Sequence, residues 1–480
     1  TPMRSLELTR DEIEKASAAL GGILARYQEG LRERPVFPRL DREALEAILA
    51  EPLPEEGRPV RALLEEFEEV LLPNSTQIPH PRFLAYINAS PTGVAPFAEA
   101  LAASLNQNCT LWKLSPAANA VERKLVAWFA GLFGLPGEAG GLITSGGSAA
   151  NLTALAAARN RHFEGDLRRQ GLQGRAGAPL TLYTSTEVHN SVDKAVMLLG
   201  LGTDHIRRIE TDEDFRIRVD RLRETVRRDR TSGFRPFCVV ANAGTIATGT
   251  IDPLDDLADL CAEERLWLHV DGAYGAFTVL GERMRGELLP AGRGDSLTLD
   301  PHKLLFNPME AGCVLVRDAR SLRETFRFVP DYYSLSDDPM LVDFTEYGPQ
   351  LSRSFKALKV WWALRAFGRR AYAETIDGVL DLAAYLGERV DAEADLERTA
   401  PVHTTAVCFR HRRLDEDGNR GILERLVEEG TAFLSMARLR GRYTLRACFN
   451  NFRTRREDVD AVVEEVLRLG REIAGGRSIR

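Results

Sequence analysis

Four short segments of this chain carry side chains suited to chemistry, and each follows an apolar run. Lys303, in Asp300-Pro301-His302-Lys303, lies between the run Ser-Leu-Thr-Leu at 296–299 and the apolar segment that Leu304 begins. An amine so placed should feel desolvation, which lowers its pKa and frees its lone pair for imine formation. A lysine snorkelling from a loop is the plain alternative. Asp271 closes the stretch Leu266-Trp267-Leu268-His269-Val270, and a buried carboxylate must be paired because an isolated buried charge is expensive. A protonated ring nitrogen would suit it, as would a metal ion or a helix end, but no cluster of acids, Cys and His at ligand spacing supports the metal. His189, in Glu187-Val188-His189-Asn190-Ser191, is placed to stack on a ring, to move a proton, or simply to cap a helix. Thr144-Ser145-Gly146-Gly147-Ser148 precedes a helical pattern that Asn151 and Leu152 begin. Glycines there let the backbone approach an anion, and the helix dipole favours a phosphate. No Lys comes after them, so this is not a Walker loop, and a capped turn is the alternative.

The elements that must position these groups can be read from periodicity. From about residue 110 to 375, short apolar or β-branched runs at 141–144, 180–184, 237–241, 267–271, 296–299 and 313–317 alternate with longer periodic segments. Such alternation predicts an α/β body around a mostly parallel sheet, in which ligands bind beyond the carboxyl ends of the strands. The candidate groups lie just past such ends. Residues 10–30 predict an amphipathic helix, and Pro35, Pro38, Pro52 and Pro54 interrupt the chain beyond it, as in an arm that packs on a partner. After about 385 the order becomes strand 405–410, helix 422–429, strands near 432–439 and 443–449, and helix 457–469, a small α+β domain. The expected division is therefore a helical arm and dimerisation segment over 1–110, a large α/β domain over 111–385 and a small domain over 386–480.

With 480 residues, 44% hydrophobic and 28% charged, core size is not limiting. No apolar run reaches membrane-spanning length, and the start, TPMRSLELTRDEIEKA, has no secretion pattern, so a cytoplasmic location is expected. The net charge of −7 argues against nucleic-acid binding. The six cysteines are widely spaced and read as buried free thiols.

A phosphate cup, a ring-stacking imidazole, an acid for a ring nitrogen and an imine lysine together are what pyridoxal phosphate requires. The segments HPRFLAY, SPAANAVE, TSGGSAANL, HVDGAY and DPHK, from about His80 to Trp362, resemble the group II pyridoxal-phosphate amino acid decarboxylases, which include the aromatic-L-amino-acid and glutamate enzymes. The resemblance implies fold type I, a large cofactor-binding domain, a homodimer, and decarboxylation of an L-amino acid. It implies that Lys303 forms the imine, Asp271 pairs with the ring nitrogen, His189 stacks on one ring face and Ala273 lies on the other. Gly147, Ser148, Thr245 and His302 fall on the phosphate side, and Arg446 at the substrate carboxylate.

Two positions depart from the family pattern. Asp300 stands where many relatives have Asn, and its charge would repel a phosphate. In the loop 331–347, where relatives carry a proton-donating Tyr, alignment backward from Arg353 puts Phe344 at that position, with Tyr347 three residues on and Tyr332 and Tyr333 as further candidates. Loss of that Tyr would turn the reaction toward decarboxylation coupled to oxidative deamination, giving an aldehyde. Leu84, Tyr86, Asn108 and Thr110 are expected near the substrate. The last two are polar where aromatic-type relatives are apolar. An aromatic substrate is favoured, with glutamate, aspartate and diaminobutyrate behind it.

Overall fold

The computed structural model describes residues 6–163, 165–172, 177–328 and 341–476. Two sheets organise it. The larger is built from β1 (Gly140–Thr144), β2 (Leu180–Ser185), β3 (Ile206–Ile209), β4 (Arg235–Asn242), β5 (Trp267–Asp271), β6 (Ser296–Leu299) and β7 (Gly312–Val316). Its order is β1-β7-β6-β5-β4-β2-β3. The pairings β6·β5, β5·β4, β4·β2 and β2·β3 are parallel, whereas β7 runs antiparallel to both β6 and β1. Two reversals restore direction, so β1 also ends at the edge where β2, β4, β5 and β6 end.

All six expected runs are strands. They are largely apolar because helices cover both faces of the sheet, and β2, β5, β6 and β7 are buried at every residue. The smaller sheet, β10-β11-β9-β8, is antiparallel and contains β8 (Leu396–Arg398), β9 (Ala406–His411), β10 (Ser435–Leu439) and β11 (Arg442–Cys448). The helix Ala357–Ala392 runs across residue 385 between the two sheets, broken only at Gly368, whose φ of 74° a side chain would resist.

At the N-terminus, Thr9 caps the helix Arg10–Glu29 through a capping box with Glu12, close to the predicted span. No described helix is long and apolar enough to cross a membrane. All six cysteines are free and buried.

A buried ion pair fixes the start of the large sheet. Arg353 and Glu122 are in contact. Glu122 Oε1 also accepts the N–H of Ile143 in β1 at 2.8 Å, while Arg353 donates to the carbonyls of Ile143 at 2.8 Å and Cys109 at 2.9 Å. The loop after β1 is thereby hung from a rigid mount.

Candidate active site

At the carboxyl edge of the large sheet lies a cavity of about 790 Å³. Its wall includes Gly147 and Ser148 after β1, His189 after β2, Asp271 and Ala273 at the end of β5, and His302 and Lys303 after β6. The smaller sheet closes it with Met436 and Ala437 of β10 and Arg446 of β11, and Tyr86 stands at the mouth.

The loop Thr144–Gly147 is shaped by close approach. A Cβ on Gly147 would stand 3.0 Å from the Cβ of Ala273 and 3.0 Å from Asp300 Oδ2, and one on Gly146 would stand 3.2 Å from His302 Cε1. No side chain caps the helix Gly147–His162, and no acid lies in its first turn. Its leading N–H groups therefore offer an anion seat beside the cavity.

Lys303 keeps 21% of its side chain exposed, and its Nζ lies 3.0 Å from Asp300 Oδ2. His302 Nε2 is 3.5 Å from the same oxygen, and His302 Nδ1 accepts the N–H of Ala311. The Asp300 charge that should repel a phosphate is thus met by an amine and an imidazole. Burial pushes the His302 ring below its ordinary pKa, and does the same to His189.

Asp271 is buried. Its Oδ1 accepts the N–H of Ala273 at 3.2 Å, and its Oδ2 accepts the amide of Asn151 at 2.7 Å. Asn151 also donates to Ser191 Oγ at 2.9 Å. His189 Nδ1 receives the N–H of Ser191 at 3.1 Å and lies 2.8 Å from its hydroxyl. With Nδ1 occupied by donors, neutral His189 carries its proton on Nε2.

Arg446 is only 3% exposed. Its Nε donates to the carbonyl of Ala247 at 2.8 Å and its Nη1 to that of Tyr86 at 2.9 Å, while its Nη2 is buried without a partner. Asp300 Oδ1 is likewise buried and unpartnered. One orphan donor and one orphan acceptor in the wall of one cavity leave the site electrically incomplete without a ligand. An amine, a buried acid, an anion seat and a free guanidinium N–H fit pyridoxal phosphate and an amino acid carboxylate.

Other expected positions lie elsewhere. The Thr245 hydroxyl is 2.9 Å from that of Thr248 and accepts the N–H of Thr250 at 3.0 Å, so it braces a turn outside the cavity lining. Asn108 Oδ1 accepts the N–H of Arg353 at 3.1 Å, and the Thr110 carbonyl accepts that of Thr345. Phe344 is 1% exposed, lies beneath the Arg353 guanidinium at 4.8 Å and packs edge-on against Tyr347. Asn108, Thr110, Phe344 and Tyr347 do not line this chain's cavity, and neither does Leu84, which is a core residue. The Phe344 ring thus packs on the Arg353–Glu122 ion pair and not into this chain's cavity. Tyr332 and Tyr333 lie outside the described residues.

Of four residues that reading of the sequence passed over, Asn151 and Ser191 line the site, and His269 and Ser296 stand behind Asn151. Strand parity was the available signal for one, since His269 lies two residues before Asp271 and shares its face of β5.

Sheet order and the amine at its rim define the class, a pyridoxal-phosphate enzyme of fold type I. The pyridoxal-dependent decarboxylase conserved domain matches residues 43–412. An aromatic-L-amino-acid decarboxylase of Bacillus atrophaeus is 35% identical over 479 residues, 98% of each chain. A histidine decarboxylase of Drosophila melanogaster is 31% identical over 91% of this chain and 52% of its own length. Among solved structures, Oryza sativa TDC with PLP and tryptamine superposes with a TM-score of 0.90 at 27% identity, over 98% of this chain and 99% of that one. The chain belongs to the group II pyridoxal-phosphate-dependent amino acid decarboxylases.

Proposed function

We propose that this enzyme converts an aromatic L-amino acid to its amine and carbon dioxide, with Lys303 as the residue that carries the cofactor. Bound pyridoxal phosphate supplies an electron sink for the pair left when the bond to the carboxylate breaks. Asp271 offers a carboxylate to a protonated ring nitrogen, Gly147 and Ser148 offer N–H groups to the phosphate, and His189 keeps a proton on Nε2. Arg446 holds the substrate carboxylate through its unpartnered N–H.

The observation that carries the substrate class is how the charges around the cavity are committed. Arg438 is held by Glu416 at 3.1 Å and by the carbonyl of Gly441 at 2.8 Å, and Lys303 is held by Asp300. Among the described lining residues, that leaves Arg446 as the arginine with an orphan N–H. A second carboxylate, as in glutamate or aspartate, finds no such partner. Ile87, Ile246, Ala247, Met436 and Ala437 with Tyr86 instead present an apolar wall suited to a ring.

We further propose that the enzyme is a cytoplasmic homodimer. Phe97, Leu101 and Leu105 form an exposed apolar stripe along the helix Ala95–Leu105, as a partner surface requires.

A panel of L-amino acids including phenylalanine, tyrosine, tryptophan, histidine, glutamate, aspartate and diaminobutyrate tests the proposal by carbon dioxide release, with amine, aldehyde and peroxide assayed as products. An aromatic substrate should lead by at least about tenfold in kcat/KM, with amine as product. A preference for glutamate or aspartate, or a mainly aldehyde product, would refute it.

A further inference from the structure

A single buried chain of hydrogen bonds runs behind the cavity, and its direction is set at the Asp271 end. Trp267 Nε1 lies 2.8 Å from Ser296 Oγ, which lies 2.8 Å from His269 Nδ1. His269 Nε2 lies 3.0 Å from Asn151 Oδ1, and the Asn151 amide nitrogen reaches Asp271 Oδ2 at 2.7 Å and Ser191 Oγ at 2.9 Å. Beyond Ser191 stands His189.

The Asp271 end imposes the polarity, and the Trp267 end is compatible with it. An indole N–H only donates, so the Ser296 oxygen accepts from Trp267 and has its own proton to give to His269 Nδ1. At the other end an ionised Asp271 only accepts, so Asn151 must turn its amide nitrogen toward the acid and its oxygen toward His269. That oxygen requires a proton on His269 Nε2, which again leaves Nδ1 as the acceptor. The opposite tautomer would set the Asn151 oxygen against the carboxylate. Burial pushes His269 down to about 4, so a neutral ring is the form in play.

We infer that Asn151 is a positioning residue, locked in one amide orientation by His269, and that this lock holds the Asp271 carboxylate aimed for the cofactor ring. From the same amide nitrogen it turns the Ser191 hydroxyl to donate to His189, reinforcing the Nε2 tautomer there. The inference rests on the reading of Asp271 as the ring partner. Trp267, Ser296 and His269 are not part of the cavity lining, so their effect passes through Asn151.

His269→Phe and His269→Gln separate a donated proton from ring volume, because a Gln amide can still donate toward Asn151 where a phenyl cannot. Apoprotein of each is titrated with pyridoxal phosphate by fluorescence, alongside circular dichroism for folding. His269→Phe should raise the cofactor Kd by about tenfold or more and His269→Gln by less than about threefold, as loss or retention of one hydrogen bond to a charged network implies. Equal behaviour of the two variants, whether both tight or both weak, overturns the inference. Parent-like affinity in Asp271→Asn would instead remove the ring-partner reading beneath it, and the inference with it.

A second measurement needs no variant to fold. In parent apoprotein with selectively 15N-labelled histidine, His269 and His189 should both appear as neutral rings protonated on Nε2. A His269 ring protonated on Nδ1 overturns the lock.

Discussion

Replacing Arg446 by Met removes the guanidinium while keeping an unbranched chain of comparable length. In the native site two of its N–H groups are spent on the carbonyls of Ala247 and Tyr86, and the buried Nη2 is left for a ligand. Truncating one partner of a desolvated, hydrogen-bonded charge pair costs about 2–5 kcal/mol, roughly thirty- to four-thousand-fold in an equilibrium or rate constant. The low end applies if the substrate carboxylate keeps water on its other lone pairs, and the high end if Arg446 alone neutralises it. The assay is kcat/KM for the preferred amino acid by carbon dioxide release. Borohydride fixation of the cofactor on Lys303 serves as the control that the rest of the site is intact. Arg446→Lys should recover little, because a point ammonium cannot hold two backbone carbonyls and a ligand in the planar fork that a guanidinium provides. If Arg446→Met retains kcat/KM within about threefold of the parent while still fixing cofactor, the assignment of this arginine to the substrate carboxylate is refuted.

Glu122→Ala leaves Arg353 buried without its acid and should cost about 3–5 kcal/mol in urea unfolding; a loss under about 1 kcal/mol would show that the pair is not buried as described. For acid stability, His269 is neutral in the fold with its pKa depressed by burial to about 4. A depressed histidine opposes protonation, so stability falls as pH drops from about 6.5 toward 4, by roughly 2–4 kcal/mol from this group. His269→Gln should flatten that part of the stability curve, and an unchanged slope would exclude the group as its source. Phe344→Tyr buries a hydroxyl in the core and should cost about 1–3 kcal/mol. It should leave the ratio of amine to aldehyde as it is in the parent, and a shift in that ratio would place residue 344 in the reaction.

The strands that carry the chemistry were readable because burial on both faces makes them largely apolar, and the residues just past their ends therefore stood out. β3 escaped because Ile-Arg-Arg-Ile at the sheet edge buries only Ile209. β8, three residues long, has no pattern to read. The helix Glu416–Glu428 starts ahead of the expected 422 because Asp415 caps it, and the Gly and Asn in its first turns look like a turn until that cap is seen. Among site residues, Lys303, Asp271, His189, Gly147, Ser148, Ala273, His302, Arg446 and Tyr86 meet at one cavity. Thr245, Asn108, Thr110, Phe344 and Tyr347 were placed by alignment, which gives chain position but not the direction of a side chain. Asn151 and His269 were hidden for a related reason: each looks structural until the partner on another element is known.

Arg446 also acts as a rivet, because one guanidinium pins backbone at Tyr86, at Ala247 and on β11, three stretches far apart along the chain. Any attempt to retune what the enzyme accepts by editing that position would loosen the frame at the same time as it changed the chemistry. Met436 and Ile246, both part-exposed at the lip and lacking polar side-chain atoms, are the economical places to reshape preference. Altering them changes the opening without unfastening what surrounds it.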